Sequence, residues 1–160
     1  MNTKRCLLNV LDKKNYEDIR NLYTNTEVRK YLGGTRDDNT IKDHFLNILQ
    51  SKADSYYWAV NEKAMKEFIG LVSLNPHHNG ESVEISYQFL PKWWGKGYGK
   101  EVVNKIIEFA FEKLNLSELV AETQAANVAS RKLLESVGMK PHQTVKRFGA
   151  EQVIYIIYKN

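Results

Sequence analysis

Apolar positions recur along this chain with two periods, one of two residues and one of three to four, and the points where the period changes divide it into elements. From about Arg5 to Leu11 the pattern predicts a strand. Asn15 to Tyr23 reads as a helix, with Tyr16, Ile19 and Leu22 three apart and Tyr23 beside them. A shorter helical piece, Glu27 to Leu32, ends at Gly33-Gly34. The loop from Gly33 to Asp38 leads to a helix that Asp38 or Asn39 can cap, with Ile41, Phe45, Ile48 and Leu49 on one face. Tyr56 to Val60 and Phe68 to Leu74 are strands on either side of the polar stretch Asn61 to Lys66, which predicts a hairpin.

Val83 to Phe89 alternates cleanly. Val83, Ile85, Tyr87 and Phe89 share one face, and Glu84, Ser86 and Gln88 the other. A helix then runs to about Leu114. Val102, Val103, Ile106, Ala110 and Leu114 form its apolar stripe, and Glu101, Lys105, Glu108 and Glu112 are expected to face water. Leu119 to Thr123 is a strand. Asn127 to Val137 is a helix with Leu133, Leu134 and Val137 inward, and Gly138 is placed to terminate it in a left-handed conformation. Two strands close the chain, Met139 to Arg147 and Val153 to Tyr158, joined around Gly149. The order β-α-α-β-β-β-α-β-α-β-β predicts an α/β protein in the α+β sense, a mixed sheet with helices packed on it.

Composition narrows the class. One hundred and sixty residues suit one domain, and 42% hydrophobic with 26% charged residues is ordinary for a soluble globular chain. No apolar run reaches a membrane span and no signal peptide opens the chain, so the expected compartment is the cytoplasm, with no membrane partner. The single cysteine, Cys6, excludes an internal disulfide and a cysteine zinc cluster, and its strand pattern makes it core. The net charge of +4 is spread along the chain, with no basic run, so no nucleic-acid partner is indicated. His77 and His78 lack a third ligand at suitable spacing. They read as solvated turn histidines, and no metal is expected.

Between the alternating strand and the long helix lies Trp93-Trp94-Gly95-Lys96-Gly97-Tyr98-Gly99-Lys100. A helix start offers unpaired amides and the positive end of the helix dipole, and glycines let a ligand approach the backbone. Together they suit a phosphate, with Lys96 and Lys100 adding charge at the rim. The alternative is a tight turn. The spacing matches neither a P-loop nor the Gly-x-Gly-x-x-Gly dinucleotide fingerprint. Trp93 and Trp94 read as packing around the loop.

The loop resembles the pyrophosphate loop of the GNAT (GCN5-related) N-acetyltransferases, Gln/Arg-x-x-Gly-x-Gly/Ala, with Gly97 and Gly99 in register and Trp94 at the Gln/Arg position. Trp-Gly-Lys-Gly-Tyr is similar to what the branch of the ribosomal-protein N-terminal acetyltransferases carries. Three further segments resemble the family in order: the opening Thr3 to Gly33, Glu84-Ile85-Ser86-Tyr87 against Glu-Ile-Gly-Tyr, and Asn127-x-x-Ser130 running to Gly138-Met139. The resemblance covers nearly the whole chain. It implies a GNAT-like acyl-CoA acyltransferase fold over residues 1–160, with acetyl-CoA as co-substrate.

The resemblance also implies roles. Backbone amides of Gly95, Lys96, Gly97, Tyr98, Gly99 and Lys100 would hold the pyrophosphate. Backbone groups of Phe89 and Leu90 would bind the pantetheine arm, and one amide would polarise the thioester carbonyl. Glu84 would take the amine's proton. The residues themselves support this through its strand face just upstream of the loop, where a cleft would raise its pKa. The alternative is a solvated strand glutamate. Asn127 would contact the cofactor and Ser130 the leaving sulfur; equally, Asn127 is an N-cap and Ser130 a first-turn residue. Leu134 stands where many relatives carry a general-acid tyrosine.

The function expected is acetyl transfer from acetyl-CoA to a primary amine, either a protein N-terminus or a small molecule, by direct attack in a ternary complex. A catalytically silent acyl-CoA-binding module is the alternative. Arg29, Tyr31, Arg36 and His44 are read as surface, although they could line an acceptor site. The acceptor's identity and the choice between monomer and homodimer are open.

Overall fold

The computed structural model describes residues 1–51 and 53–160. The chain opens with β1 (Cys6–Val10). The Asp12 side chain accepts from Lys14 N, and Asn15 accepts in return from Asp12 N, which starts a 3-10 turn that leads into α1 (Tyr16–Thr24). The Asn25 side chain accepts from the Glu27 and Val28 amides and starts the four-residue α2 (Thr26–Arg29). The next helix, α3 (Asp38–Leu49), is capped by Asp37, which accepts from Thr40 N at 2.8 Å. The cap is therefore one residue earlier than expected. Asp38 has already entered the first turn, and Arg20 pairs with it at 2.8 Å.

Then come β2 (Tyr56–Glu62) and β3 (Phe68–Pro76), the expected hairpin, each two residues longer than the pattern indicated. They are followed by β4 (Val83–Phe89), α4 (Tyr98–Glu112), β5 (Glu118–Gln124), α5 (Val128–Ser136), β6 (Lys140–Arg147) and β7 (Ala150–Tyr158). The seven strands form one mixed sheet in the order β1-β2-β3-β4-β5-β7-β6. Among the described residues only β4 and β5 pair in parallel. The β6–β7 turn is the two-residue loop Phe148-Gly149, with φ of 55° and 74°. Two left-handed residues are what a type I′ hairpin requires.

Strand alternation divides the apolar residues between two cores. One face packs Leu8, Val60, Val72, Ile85, Leu119 and Tyr155 under α4 and α5, with Val102, Val103, Ile106 and Leu134 against them. The other packs Ala59 and Leu71 under α1 and α3, through Ile19, Leu22, Ile41, Phe45 and Ile48. The second core stops at β3. Beyond it the same face carries Glu84, Ser86 and Gln88, which border the cleft described below.

Two positions on α4 differ from expectation. Ile107 is buried beside the apolar stripe. Glu101 does not simply face water: its carboxylate accepts from Thr3 Oγ, from Arg5 N at 2.7 Å and from Arg5 Nε at 2.8 Å. Burial disfavours its charge, but those bonds outweigh it and hold the carboxyl below its ordinary pKa. The first strand is thereby tied to the start of α4. Among the described residues no helix is long and apolar enough to cross a membrane.

The end of β4 depends on close approach to β3. Gly70 lies opposite Phe89, and a Cβ there would stand 2.1 Å from Gln88 O and 2.7 Å from Phe89 Cδ1. Gly70→Ala is expected to cost about 1–3 kcal/mol through forced strand displacement. Urea denaturation should show a lower midpoint at an unchanged slope. An unchanged midpoint would mean that the ladder gives way freely.

Candidate functional site

The parallel pairing of β4 and β5 is registered at Glu84↔Val120. Past that point toward their C-terminal ends the strands part, and a cleft of about 900 Å³ runs through the gap. Gly95, Gly97, Gly99 and Lys100 line one end, Ser130 and Leu133 of α5 one wall, Glu84, Ser86 and Gln88 the floor, and Tyr31, Leu32 and Phe148 the far end.

The glycine end is an open helix start. Gly97 is the N-cap of α4 at φ 82°, and no side chain caps that helix. The N-caps of α2, α3 and α5 are filled by Asn25, Asp37 and Asn127. As in α1, whose N-cap Asn15 makes no capping bond, the first amides of α4 have no side-chain cap among the described residues. Gly99 lets the helix start lie against its neighbours: a Cβ there would meet Leu133 Cδ2 at 3.2 Å and Phe89 Cε2 at 3.4 Å. Arg5 holds the loop from behind, bonding Lys96 O at 3.0 Å and stacking 4.0 Å from the Tyr98 ring centroid. Lys96 and Tyr98 themselves are not among the cleft-lining residues.

Leu90 N donates to Ile69 O at 2.9 Å, and Leu90 O accepts from Trp93 N at 3.0 Å. Both backbone groups of Leu90 therefore have a partner within the protein. Successive amides in a strand point to opposite edges, so Phe89 N–H turns away from β3 toward the gap. Phe89 O accepts from the Trp94 indole at 2.7 Å. Trp93 is buried, as a packing role requires, whereas Trp94 is half exposed and seals that carbonyl.

Glu84 lies in the floor. Burial raises its pKa above the ordinary 4.5; His77 opposes this and Glu122 adds to it. The Glu122 backbone amide and Ser86 also donate toward the carboxylate. Asn127 caps α5 by accepting from Ser130 N at 3.1 Å, and both residues also border the cleft. The Ser130 hydroxyl lies 2.8 Å from the Tyr87 hydroxyl. Burial pushes the Tyr87 phenol up to about 12, against the opposing Ser130 bond.

Tyr87 shares the apolar face of β4 with Val83, Ile85 and Phe89, but its hydroxyl reaches Ser130 on the cleft wall, which alternation alone does not show. His77 is not a solvated turn residue: it is 4% exposed, and its Nε2 lies 2.7 Å from Glu122 Oε2. Extending the β3 alternation two residues past Asn75, Glu84's partner, would have put it on that face. Arg29, read as surface, is buried. Its guanidinium bonds Gly34 O, Leu32 O and Gln88 Oε1, fixing the loop at the far end of the cleft to β4. Burial and neighbouring Arg36 lower its pKa. Of its companions, Tyr31 lines the cleft, and His44 bonds the Tyr23 hydroxyl at 3.0 Å.

The sequence and fold have known counterparts. Residues 5–140 match the family model described as the acetyltransferase (GNAT) domain. An uncharacterized N-acetyltransferase, YoaA, of Bacillus subtilis is 24% identical over 155 residues, covering 92% of this chain and 86% of that protein. A spermidine N-acetyltransferase from Vibrio cholerae, solved with CoA and spermine, superposes with a TM-score of 0.83 at 21% identity, covering 96% of this chain and 95% of that one. The ribosomal-protein-S5-alanine acetyltransferase of Vibrio fischeri gives a TM-score of 0.81 at 16% identity, over 99% and 95%. With the match spanning most of its length, an uncapped glycine-rich helix start beside two parting strands, and the mixed sheet those structures share, the chain belongs to the GNAT acetyltransferase family.

Proposed function

We propose that this protein moves an acetyl group from acetyl-CoA to a primary amine held in the cleft, with the phosphates at Gly95 to Lys100 and the amine above Glu84. The observation that carries the reading is the pairing of an uncapped, glycine-led helix start with a buried carboxyl across one strand gap. Acetyl-CoA supplies an acetyl thioester, a carbonyl that a free amine attacks with departure of a thiolate.

The chain's own residues meet the demands of that step. An alkyl ammonium with pKa about 10.4 must lose a proton before it attacks. Glu84, with its proton affinity raised by burial, is suited to accept it, directly or through water. Phe89 N–H, turned into the gap, is placed to polarise the thioester carbonyl. Ser130 and Tyr87 form a hydroxyl pair on the wall where the sulfur would leave. A phenol at about 12 is a weaker acid than a thiol at about 8.5. Tyr87 therefore keeps its proton, orients the Ser130 hydroxyl and leaves protonation of the thiolate to solvent. Leu134, buried in the core, has no part in it. The Vibrio cholerae spermidine N-acetyltransferase was solved with CoA and spermine, which supports small amines among the acceptors.

Gly97→Val, which forces a β-branched residue to φ 82°, should weaken CoA binding at least about tenfold, or about 1.4 kcal/mol, by calorimetry with the circular dichroism of the folded chain retained. Unchanged affinity would move the phosphate site elsewhere. Glu84→Gln should lower kcat by roughly 10²–10⁴. The same substitution has a stability signature of fixed sign. Because the folded carboxyl binds its proton more tightly than the unfolded one, ionising Glu84 costs stability. That cost is absent below the ordinary 4.5 and grows as pH climbs through the raised folded value. The Gln variant should thus melt higher than the parent at about pH 8, with the gap closed by about pH 4. A Tm difference independent of pH would contradict the burial of this charge. Ser130→Ala and Tyr87→Phe should each reduce kcat about tenfold or less, with little change in KM for acetyl-CoA. Combined, they should fall short of additivity, since they share one hydrogen bond; full additivity would separate them.

A further inference from the structure

A second carboxylate borders the cleft beside Glu84. Glu122 stands on β5 two residues beyond Val120, the register partner of Glu84. Its side chain therefore leaves the sheet on the same face as Glu84, at the level where the strands have parted. It lines the cleft, yet its side chain is only 6% exposed.

Its two oxygens are treated differently. Oε2 is held by His77 Nε2 at 2.7 Å. The other ring nitrogen fixes the tautomer: Nδ1 accepts from Asn79 N at 3.3 Å, so Nε2 carries the proton it donates to Glu122. Oε1 is buried and has no hydrogen-bond partner among the described residues. Arg147 Nε stands 3.5 Å from it, at ion-pair range but too far for a good hydrogen bond. The other buried side-chain acceptor without a partner among the described residues is Asn75 Oδ1, and Asn75 faces Glu84 from β3. Two orphaned acceptors thus flank Glu84, one on each neighbouring strand. Buried acceptors of this kind call for an N–H or O–H donor.

We propose that Glu122 receives the acceptor: Oε1 takes an N–H of the incoming primary ammonium and holds its nitrogen between Glu122 and Glu84. This rests on the reading of the cleft as an acetyl-transfer site. Glu84 and Glu122 present two carboxylates to the same part of the cleft, and an ammonium is the head group that complements them. When the proton passes, an N–H bond of the ammonium breaks, an O–H bond forms on Glu84, and the freed electron pair stays on nitrogen. Glu122 and Arg147 then remain as a balanced pair, and the retained N–H bond to Oε1 orients the nitrogen lone pair. A neutral or anionic head group gains nothing from this arrangement, so the site selects primary ammonium groups.

The test follows the His77 ring by proton–carbon NMR at fixed pH in the CoA-bound protein, the signal being assigned by its loss in His77→Gln. n-Butylammonium chloride is titrated in, with tetramethylammonium chloride as a cation that has no N–H. The His77 signal should move and saturate with n-butylammonium and stay still with tetramethylammonium. Glu122→Gln retains an oxygen for His77 but no charge, and should weaken n-butylammonium at least about tenfold while CoA affinity stays within about twofold. Glu122→Asp, run in parallel, keeps the charge and should retain the response if the Gln variant melts early. An equal response to tetramethylammonium, undiminished n-butylammonium affinity in folded Glu122→Gln, or no response in the parent protein overturns the proposal. Acetyl transfer unaffected by Glu122→Gln removes this seat and leaves the enzyme reading standing. Ammonium binding at Glu122 without transfer to any amine does the reverse.

Discussion

The cleft in this fold opens where two neighbouring strands stop pairing. β4 and β5 are parallel and in register at Glu84↔Val120, and then diverge. Backbone groups past that point lose their ladder partners, and buried polar backbone must find others. On β4 the solution is asymmetric. Phe89 O is covered by the Trp94 indole, Leu90 turns back to β3 and to Trp93, and Phe89 N–H is left facing the gap. Beside the gap, the start of α4 packs Gly99 against Leu133 and Phe89, where a Cβ would stand 3.2 Å from Leu133 Cδ2. An uncapped helix start, a strand amide and a buried carboxyl all border the interruption in the sheet.

The cleft is costly to stability, and its walls show how that cost is contained. Glu84 is disfavoured as an ion by burial, and Arg29 sits in the interior with no carboxylate partner among the described residues. Arg29 is tolerated because two loop carbonyls and Gln88 satisfy its donors, and in return it fixes the Leu32–Gly34 loop against β4. At the opposite end Arg5 performs a similar service for the glycine loop, balanced there by Glu101. The two arginines clamp the two ends of the cleft, one against carbonyls and one against a carboxylate.

Much of this was legible in the sequence, and the boundary between the legible and the hidden is physical. Features with a local cause were readable: the alternation of β4 that turns Glu84, Ser86 and Gln88 to one face, the glycines at the start of α4, the Asn127 cap, and the left-handed Gly138 at φ 90°. Features that depend on what lies across the sheet were not. His77 looks like a turn histidine until Glu122, 45 residues away, is seen beside it. Tyr87 is a core residue by alternation, and only the N-terminal turn of α5 gives its hydroxyl a partner. Leu134 marked a departure from the family's usual tyrosine, but nothing local pointed to the hydroxyl pair nearby. Arg29 could not be placed inside without the folded loop whose carbonyls receive it.

The central claim is that this cleft carries acetyl from CoA to an amine. It is tested most directly by incubating the protein with acetyl-CoA and a panel of N-terminal peptides, polyamines, amino acids and simple amines, with mass detection of every acceptor and of free CoA. The account predicts that at least one primary amine gains a single acetyl group in step with CoA release. Tight CoA binding with no acetylated amine anywhere in the panel would contradict it, and would leave a silent acyl-CoA-binding module in its place.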